Sequence, residues 1–478
     1  MKKYDVIVIG AGSAGLGNAG VANTIGLKTL LIEKRAEYFG GDCTNFGCVP
    51  SKALIHIAHQ FHAAKQAQRF GLRTEGVADM KQVLAYIHEK QAIIRGTENA
   101  EALRAKGMEV LIGEAKFEDK ETVRVGEERY TAKVILLCTG SKPRQLEIEG
   151  MEAVKVYTNE NIFFDCKTLP KNLVVVGGGP IGCELGQAFA RLGSQVTIVN
   201  RGDHLLSNEP VKVAQILTKE FEQEGIRIFN NTTVEKITNS QAQLKTKATA
   251  KQNIPCDALL MAVGRVVRTE GLQLEKAGIE LTEQGQFKIN EYLQSTNPRV
   301  YVVGDAAGTY MFSHGAEKMV RMLWRNLLFP LIKKKNTMAD LSWVTFTDPQ
   351  VAHFGYTEEQ LNEKGIAYYR QDQSLEEDDR AILQEYTYGY QSLWMEEKSN
   401  LGNRKLISGS LIAPHAGELL QELELAKFAE IPIGKINNRV YPYPVQARIN
   451  QKTIRGVLQS SYSATKMKLA RWLFSFFN

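Results

Sequence analysis

The chain has 478 residues, 44% hydrophobic and 23% charged, with 59 Lys and Arg against 53 Asp and Glu for a formal net charge of +6. That is the make-up of an ordinary globular protein with room for roughly two to four domains. So mild a positive excess does not argue for nucleic acid, and no apolar run reaches the ~18 residues of a membrane span.

The chain opens "MKKYDVIVIGAGSAG". Lys2 and Lys3 before an apolar run suggest a secretory leader, but Asp5 interrupts the run and the apolar part is short. Tyr4–Ile9 reads as a buried parallel strand. It runs into Gly10-Ala11-Gly12-Ser13-Ala14-Gly15, an Ala/Gly-rich helix, and a second strand, Thr29–Ile32, ending at Glu33. A GxGxxG between strand and helix, with an acid about 20 residues on, is a dinucleotide-binding pattern. The glycines admit a pyrophosphate to the backbone and the helix N-terminus supplies partial positive charge. Glu33 is placed to accept from ribose hydroxyls.

Next comes "GGDCTNFGCVPSK", residues 40–52, with Cys43 and Cys48 five positions apart. A metal half-site, a structural crosslink and a working redox pair all share this spacing. The other four cysteines, Cys138, Cys166, Cys183 and Cys256, are scattered and read as buried small hydrophobes. The pattern suits a reducing cytosol, so a cytoplasmic location is expected. His56, His59 and His62 follow at three-residue spacing on an expected helix. Such imidazoles can bind a metal, but read better as packing or surface residues, and no metal site is expected.

The strand–glycine–helix pattern then recurs. Leu173–Val176 leads to Gly177-Gly178-Gly179-Pro180-Ile181-Gly182, a helix, and the strand Gln195–Val199. At the position equivalent to Glu33 stands Asn200, followed by Arg201. Two such units imply two dinucleotides. A carboxylate there repels a 2′-phosphate and an Asn beside an Arg does not, so the second site leans to NADPH over NADH. A third strand, Val300–Val303, ends at Gly304-Asp305, where open α/β sheets bind ligands. Lys333-Lys334-Lys335 reads as a solvated linker. From about Leu341 the βαβ signals stop. "YGYQSLWMEEKSNLGNRKLISGSLIAP" reads as two strands around a polar turn, and "AGELLQELELAKFAE" as a long helix. The tail "KMKLARWLFSFFN" interleaves Lys and Arg with aromatics. It is too short to span a bilayer; docking on its own dimer is the preferred reading, with peripheral contact on an anionic membrane the other.

These motifs, in this order over nearly the whole chain, resemble the FAD-dependent pyridine nucleotide–disulfide oxidoreductases that include dihydrolipoamide dehydrogenase, glutathione reductase and mercuric reductase. "VIVIGAGSAG" looks like the FAD motif, "LLCTGSKP" like the turn carrying Thr139 and Gly140, and "VVVGGGPIGCE" like the NAD(P)H motif. "AVGRVVRTEGL", with Gly264, and "VYVVGDAAG" resemble the segments leading back to the FAD domain. "VTFTDPQVAHFGYTE" and "APHAGELLQE" look like the interface domain. The resemblance implies an α/β homodimer with two Rossmann-like domains and an α+β dimerisation domain. FAD is expected on 1–150 and 266–338, including Gly41 and Lys52, NAD(P)H on 151–265, and the dimer contact on 339–478.

Zinc would need a second ligand pair, and a structural disulfide is disfavoured in a cytosolic enzyme, so Cys43 and Cys48 read as a redox pair. By resemblance Cys48 lies against the flavin as the charge-transfer thiol, Cys43 faces the substrate, and Lys52 and Glu184 form the ion pair beside the flavin. The chain departs from the family near its C-terminus. Dithiol enzymes carry a His, and a Glu five residues later; "YPYPVQARINQK" puts Tyr443 and Arg448 there, with Tyr441 upstream. Phenol is a poor base near neutral pH, whereas imidazole titrates there. Mercuric reductases also carry this Tyr, but neither their CxxC module nor their C-terminal cysteine pair is seen. Pro180 stands where glutathione reductases often have a lid Tyr. The expectation is NAD(P)H to FAD to Cys43–Cys48 to an acceptor of open identity: metal ion, quinone or other electrophile, or disulfide. The alternatives are a diverged NAD-dependent dihydrolipoamide dehydrogenase and a flavin-containing redox sensor with little turnover.

Overall fold

Val6, Ile7, Val8 and Ile9 are all buried, as a strand flanked by neighbours and covered on both faces requires. In the computed structural model, which describes residues 1–246, 252–337, 339–397, 401–459 and 464–477, this strand is Lys2–Ile9. It lies between Thr29–Glu33 and Glu128–Leu137, parallel to both. Glu109–Ile112 extends the sheet beyond Thr29–Glu33, and Val300–Val302 pairs in parallel with the far end of Glu128–Leu137. An antiparallel excursion, Ala115–Phe117 and Thr122–Val125, completes its seven strands.

The second sheet repeats the plan with five parallel strands in the order Arg227–Phe229, Gln195–Val199, Asn172–Val176, Ala258–Met261, Lys155–Tyr157. Both repeats place a glycine turn and a helix after the central strand: Ser13–Thr24 in one, Pro180–Leu192 in the other.

Contacts divide the chain into two units. Residues 1–201 and 225–336 form one, and residues 202–224 and 337–478 form the other. In the second unit five antiparallel strands run Ser342–Thr345, Gln350–Phe354, Leu406–Ala413, Tyr390–Glu396, Tyr368–Ser374. The two strands expected around a polar turn are the third and fourth of these, and the long helix is Ala416–Phe428. Residues 202–224 lie inside the stretch expected to bind NAD(P)H, yet they pack with this unit. Glu209 explains why. Its buried carboxylate accepts from Trp343 Nε1 at 2.6 Å and Ser410 Oγ at 2.9 Å, and His353 Nδ1 lies 3.4 Å away. Burial opposes the charged form, but His353, Trp343 and Ser410 outweigh it and hold the carboxyl below its usual range.

Two glycines of the first helix separate packing from propensity. A Cβ on Gly15 would overlap the Gly10 carbonyl oxygen, whereas one on Gly20 would meet nothing within 4 Å. Gly15→Ala should therefore destabilise the protein by roughly 1–3 kcal/mol. Gly20→Ala should stabilise it by about 0.4–1 kcal/mol, because the unfolded chain loses freedom. Urea midpoints of the two variants check both signs.

Candidate active site

The redox segment is held by close backbone packing. Gly41 has φ of +62°, and a Cβ there would fall 2.6 Å from the Gly12 Cα. The cysteine segment thus rests on the first glycine turn. Cys43 lies in the short helix Gly41–Asn45, and Cys48 begins the long helix Cys48–Gln66. The two thiols hydrogen-bond each other. That bond, seconded by burial, pushes the Cys43 thiol well above its ordinary range. The same bond, with Ser313 and the Lys52 charge, lowers the Cys48 thiol to about 6 against the opposition of burial. Ser313 Oγ is 3.5 Å from Cys48 Sγ. One turn along the helix, Lys52 Nζ lies 2.7 Å from Glu184 Oε2, and Glu184 is buried. Cys43 and Cys48 thus act on each other, Lys52 pairs with Glu184, and the Lys52 charge acts on Cys48 from one turn along the helix.

The first nucleotide cradle gathers four separated segments. Gly10 packs against the Cys138 carbonyl, beside Thr139 and Gly140. Gly304 sits where a Cβ would fall 2.8 Å from the Ala14 Cβ. Gly12, which precedes Ser13, is the N-cap of the helix Ser13–Thr24, and no side chain caps it. Backbone N–H groups left without a side-chain acceptor at a helix start fit a pyrophosphate. Glu33 is buried and accepts from Ala11 N at 2.7 Å and Arg35 N at 3.3 Å, so it braces the turn. Burial pushes its carboxyl up.

The second cradle repeats this. Gly177 packs on the Ala262 carbonyl, two residues before Gly264, and Gly182 packs on the Gly177 carbonyl. At Gly179 a Cβ would meet nothing within 4 Å. The space there is open to a ligand, and the helix that Gly179 caps again has no side-chain cap. Pro180 and Ile181 are its first two residues. Asn200 is buried and donates to Asn230 Oδ1 at 2.9 Å, while Arg201 is exposed at the same strand end.

A polar network that the sequence reading missed joins Asp305 to the cysteine segment. Ser141 Oγ donates to Asp305 Oδ2 at 2.6 Å, Arg265 Nε donates to Ser141 Oγ at 2.7 Å, and Arg265 Nη2 donates to Asp42 Oδ1 at 2.9 Å. Burial pushes the Asp305 carboxyl up, against Ser141 and Arg265. Asp42 and Arg265 are 223 residues apart, so no local spacing reveals the pair.

In the second unit Tyr443 and Arg448 come together. The guanidinium lies 5.1 Å from the phenol ring centroid, and Tyr443 Oη donates to Asp379 Oδ2 at 3.1 Å. The bond to Asp379 raises the Tyr443 phenol further from neutrality. Tyr441 is buried and donates to Glu422 Oε1 at 2.6 Å. The three histidines do not form a cluster: His56 stacks on Tyr86 and His62 pairs with Gln66, and among the described residues no group of three His, Cys, Asp or Glu is placed to hold a metal.

With its thiol lowered to about 6, Cys48 should be a thiolate in reduced protein above that pH. Two-electron reduction should then give a long-wavelength thiolate-to-flavin absorption band that fades as pH falls through about 6. Cys48→Ser should lack the band and Cys43→Ser should show it without reductant. Lys52→Met should move the fading point to higher pH, since a cation favouring the thiolate is gone. No band in either wild type or Cys43→Ser would remove the assignment.

Comparison with known proteins places this geometry. Residues 4–320 match the pyridine nucleotide-disulphide oxidoreductase family, and residues 341–453 match the dimerisation domain of that family. The chain is 31% identical over 446 residues to a dihydrolipoyl dehydrogenase of Mycoplasma pneumoniae, covering 92% of this chain and 95% of that one. It is 30% identical over 448 residues to a mercuric reductase of Staphylococcus aureus, covering 93% and 80%. Among solved structures, the Cu(II) complex of the HOCl-induced flavoprotein disulfide reductase RclA from Escherichia coli superposes with a TM-score of 0.81 at 25% identity, covering 96% of this chain and 100% of that one. The chain therefore belongs to the pyridine nucleotide–disulphide oxidoreductase family, as a flavoenzyme with that family's dimerisation domain.

Proposed function

We propose that this flavoenzyme takes electrons from NADPH and delivers them through Cys43 and Cys48 to a thiophilic metal ion or another electrophile, in the cytoplasm and as a homodimer. One observation carries the reading: Tyr443 occupies the sequence position at which the dithiol enzymes it resembles carry their His. The Tyr443 hydroxyl donates to Asp379, and that bond holds it protonated. Dithiol and disulfide exchange require a group that takes and returns a proton near neutral pH. A protonated phenol under a guanidinium can donate to an anion but cannot accept that proton.

The flavin, when bound, supplies two-electron transfer between the nicotinamide and the disulfide. The residues that would hold it are the glycine turn 10–15, Glu33, Gly41, Thr139, Gly140 and Asp305, with Lys52, which pairs with Glu184, beside it. The chain's own part is to set the two thiols apart. Reduction breaks the sulfur–sulfur bond and leaves Cys48 as thiolate and Cys43 as thiol, because the mutual hydrogen bond lowers one and raises the other. A soft metal that binds the pair meets Cys48 already as thiolate and displaces the Cys43 proton to water, so no base has to take and later return it. The mercuric reductase relatives and the RclA complex with Cu(II) support a thiophilic acceptor. A second reading, a diverged dihydrolipoyl dehydrogenase, rests on the 31% identity to that enzyme.

Two measurements decide. Turnover with dihydrolipoamide and NAD, or with glutathione disulfide and NADPH, should be slow beside turnover with Hg(II), Cu(II) or quinones under the same conditions. Tyr443→His with Arg448→Glu should raise dithiol turnover by on the order of 10²-fold if it restores general-base catalysis. Lipoamide as the fastest acceptor would hand the function to the second reading. No turnover on any acceptor, with the flavin still reducible, would mark a redox sensor.

The donor is tested separately. Arg201→Ala should raise the KM for NADPH roughly tenfold or more, the worth of a charge-assisted hydrogen bond, and leave that for NADH nearly unchanged. Equal effects on both donors, or a wild-type preference for NADH, would reject the NADPH assignment.

A further inference from the structure

The positive charge of this protein is concentrated at one end. Residues 431–478 contain eight Lys or Arg and no Asp or Glu. Outside that stretch the 59 basic residues fall to 51, against 53 acidic, so the rest of the chain is slightly negative. The stretch ends in the helix Ala464–Phe477. Its large apolar side chains are on the surface: Trp472 is 58% exposed, Phe474 71%, Phe476 68% and Phe477 73%.

The helix sorts these residues by face. Leu469, Trp472, Leu473 and Phe476 recur at i, i+3, i+4 and i+7, and the Trp472 and Phe476 rings stack with centroids 5.4 Å apart. Lys468, Arg471 and Ser475 recur at i, i+3 and i+7 as a separate polar strip. A helix of 14 residues is about 21 Å long, short of the ~30 Å of a bilayer core. Among the described residues no helix is long and apolar enough to cross a membrane. A short helix with a broad aromatic face and a basic strip suits the plane of the lipid–water boundary. There its rings enter the acyl region while Lys and Arg reach the headgroups.

We propose that this helix docks the enzyme on the surface of an anionic phospholipid bilayer. Charge complementarity selects that occupant. The match to the family's dimerisation domain ends at residue 453, before the helix begins at Ala464. A two-fold contact between two copies of the helix would also oppose like charges, with no acidic residue in 431–478 to offset them.

The protein reports on this contact itself. It has four tryptophans, and Trp324, Trp343 and Trp394 are buried, so a shift in emission on binding comes from Trp472. Full-length holoenzyme should co-sediment with vesicles of phosphatidylcholine and phosphatidylglycerol, with a blue shift, and not with phosphatidylcholine alone. Binding should weaken as salt rises. Lys468→Gln with Arg471→Gln should weaken it roughly 25-fold, about fivefold per charge. Trp472→Ala with Phe476→Ala should abolish it while NADPH oxidation in solution and dimer mass stay unchanged. Equal binding to both vesicle types, or to neither, would overturn the proposal. So would dissociation of the dimer by Trp472→Ala with Phe476→Ala, which would assign the helix to a second copy of the chain.

Discussion

Everything at the redox centre depends on one helix, Cys48–Gln66. Its first residue is the thiol that becomes a thiolate, and the residue one turn on is Lys52. Spacing of i and i+4 puts both on one face, so the cation that favours the thiolate is covalently registered to it. Helix N-terminal charge acts in the same direction. The ion pair of Lys52 with buried Glu184 then ties this helix to Pro180–Leu192, the helix that opens at the second glycine turn. One contact thereby ties the electrostatics at the sulfur to the helix of the second glycine turn.

The two glycine turns show how a backbone constraint repeats without repeating its sequence. In each, the first glycine packs on a carbonyl of a neighbouring strand and the last packs on the carbonyl of the first. The middle glycine differs: Gly12 packs on Gly41, while Gly179 has open space. What differs is the strand end: Glu33 accepts two backbone N–H groups, while Asn200 is tied to Asn230 beside an exposed Arg201. The shared part builds the turn, and the divergent part gives the two strand ends different polar partners.

Much of this was legible in the sequence because the informative spacings are local. Glycine turns, the cysteine pair and the strands they join span a few residues each, and periodicity and sterics read them directly. Lys52, Tyr443 and Arg448 were singled out by resemblance to the family instead. What stayed hidden was made by distant segments. Ser313 reaches Cys48 across 265 residues and Arg265 reaches Asp42 across 223. Asp379, which binds the Tyr443 hydroxyl, comes from a different helix. The antiparallel excursion at Ala115–Val125 carried no strong alternation. The packing of residues 202–224 with the C-terminal sheet turns on Glu209, a lone carboxylate with no motif around it.

Glu209 also imposes an order in time. The chain leaves its first unit at residue 202, returns at residue 225, and supplies the partners of Glu209 only with Trp343, His353 and Ser410. Ser410 follows Glu209 by 201 residues, about 10–40 s of ribosomal elongation. Through that interval the carboxylate and the helix Val211–Gln223 wait in solvent for the sheet that will bury them. Neither unit corresponds to one uninterrupted stretch of the message, so the nascent protein commits its second half of synthesis to completing what its first half left open.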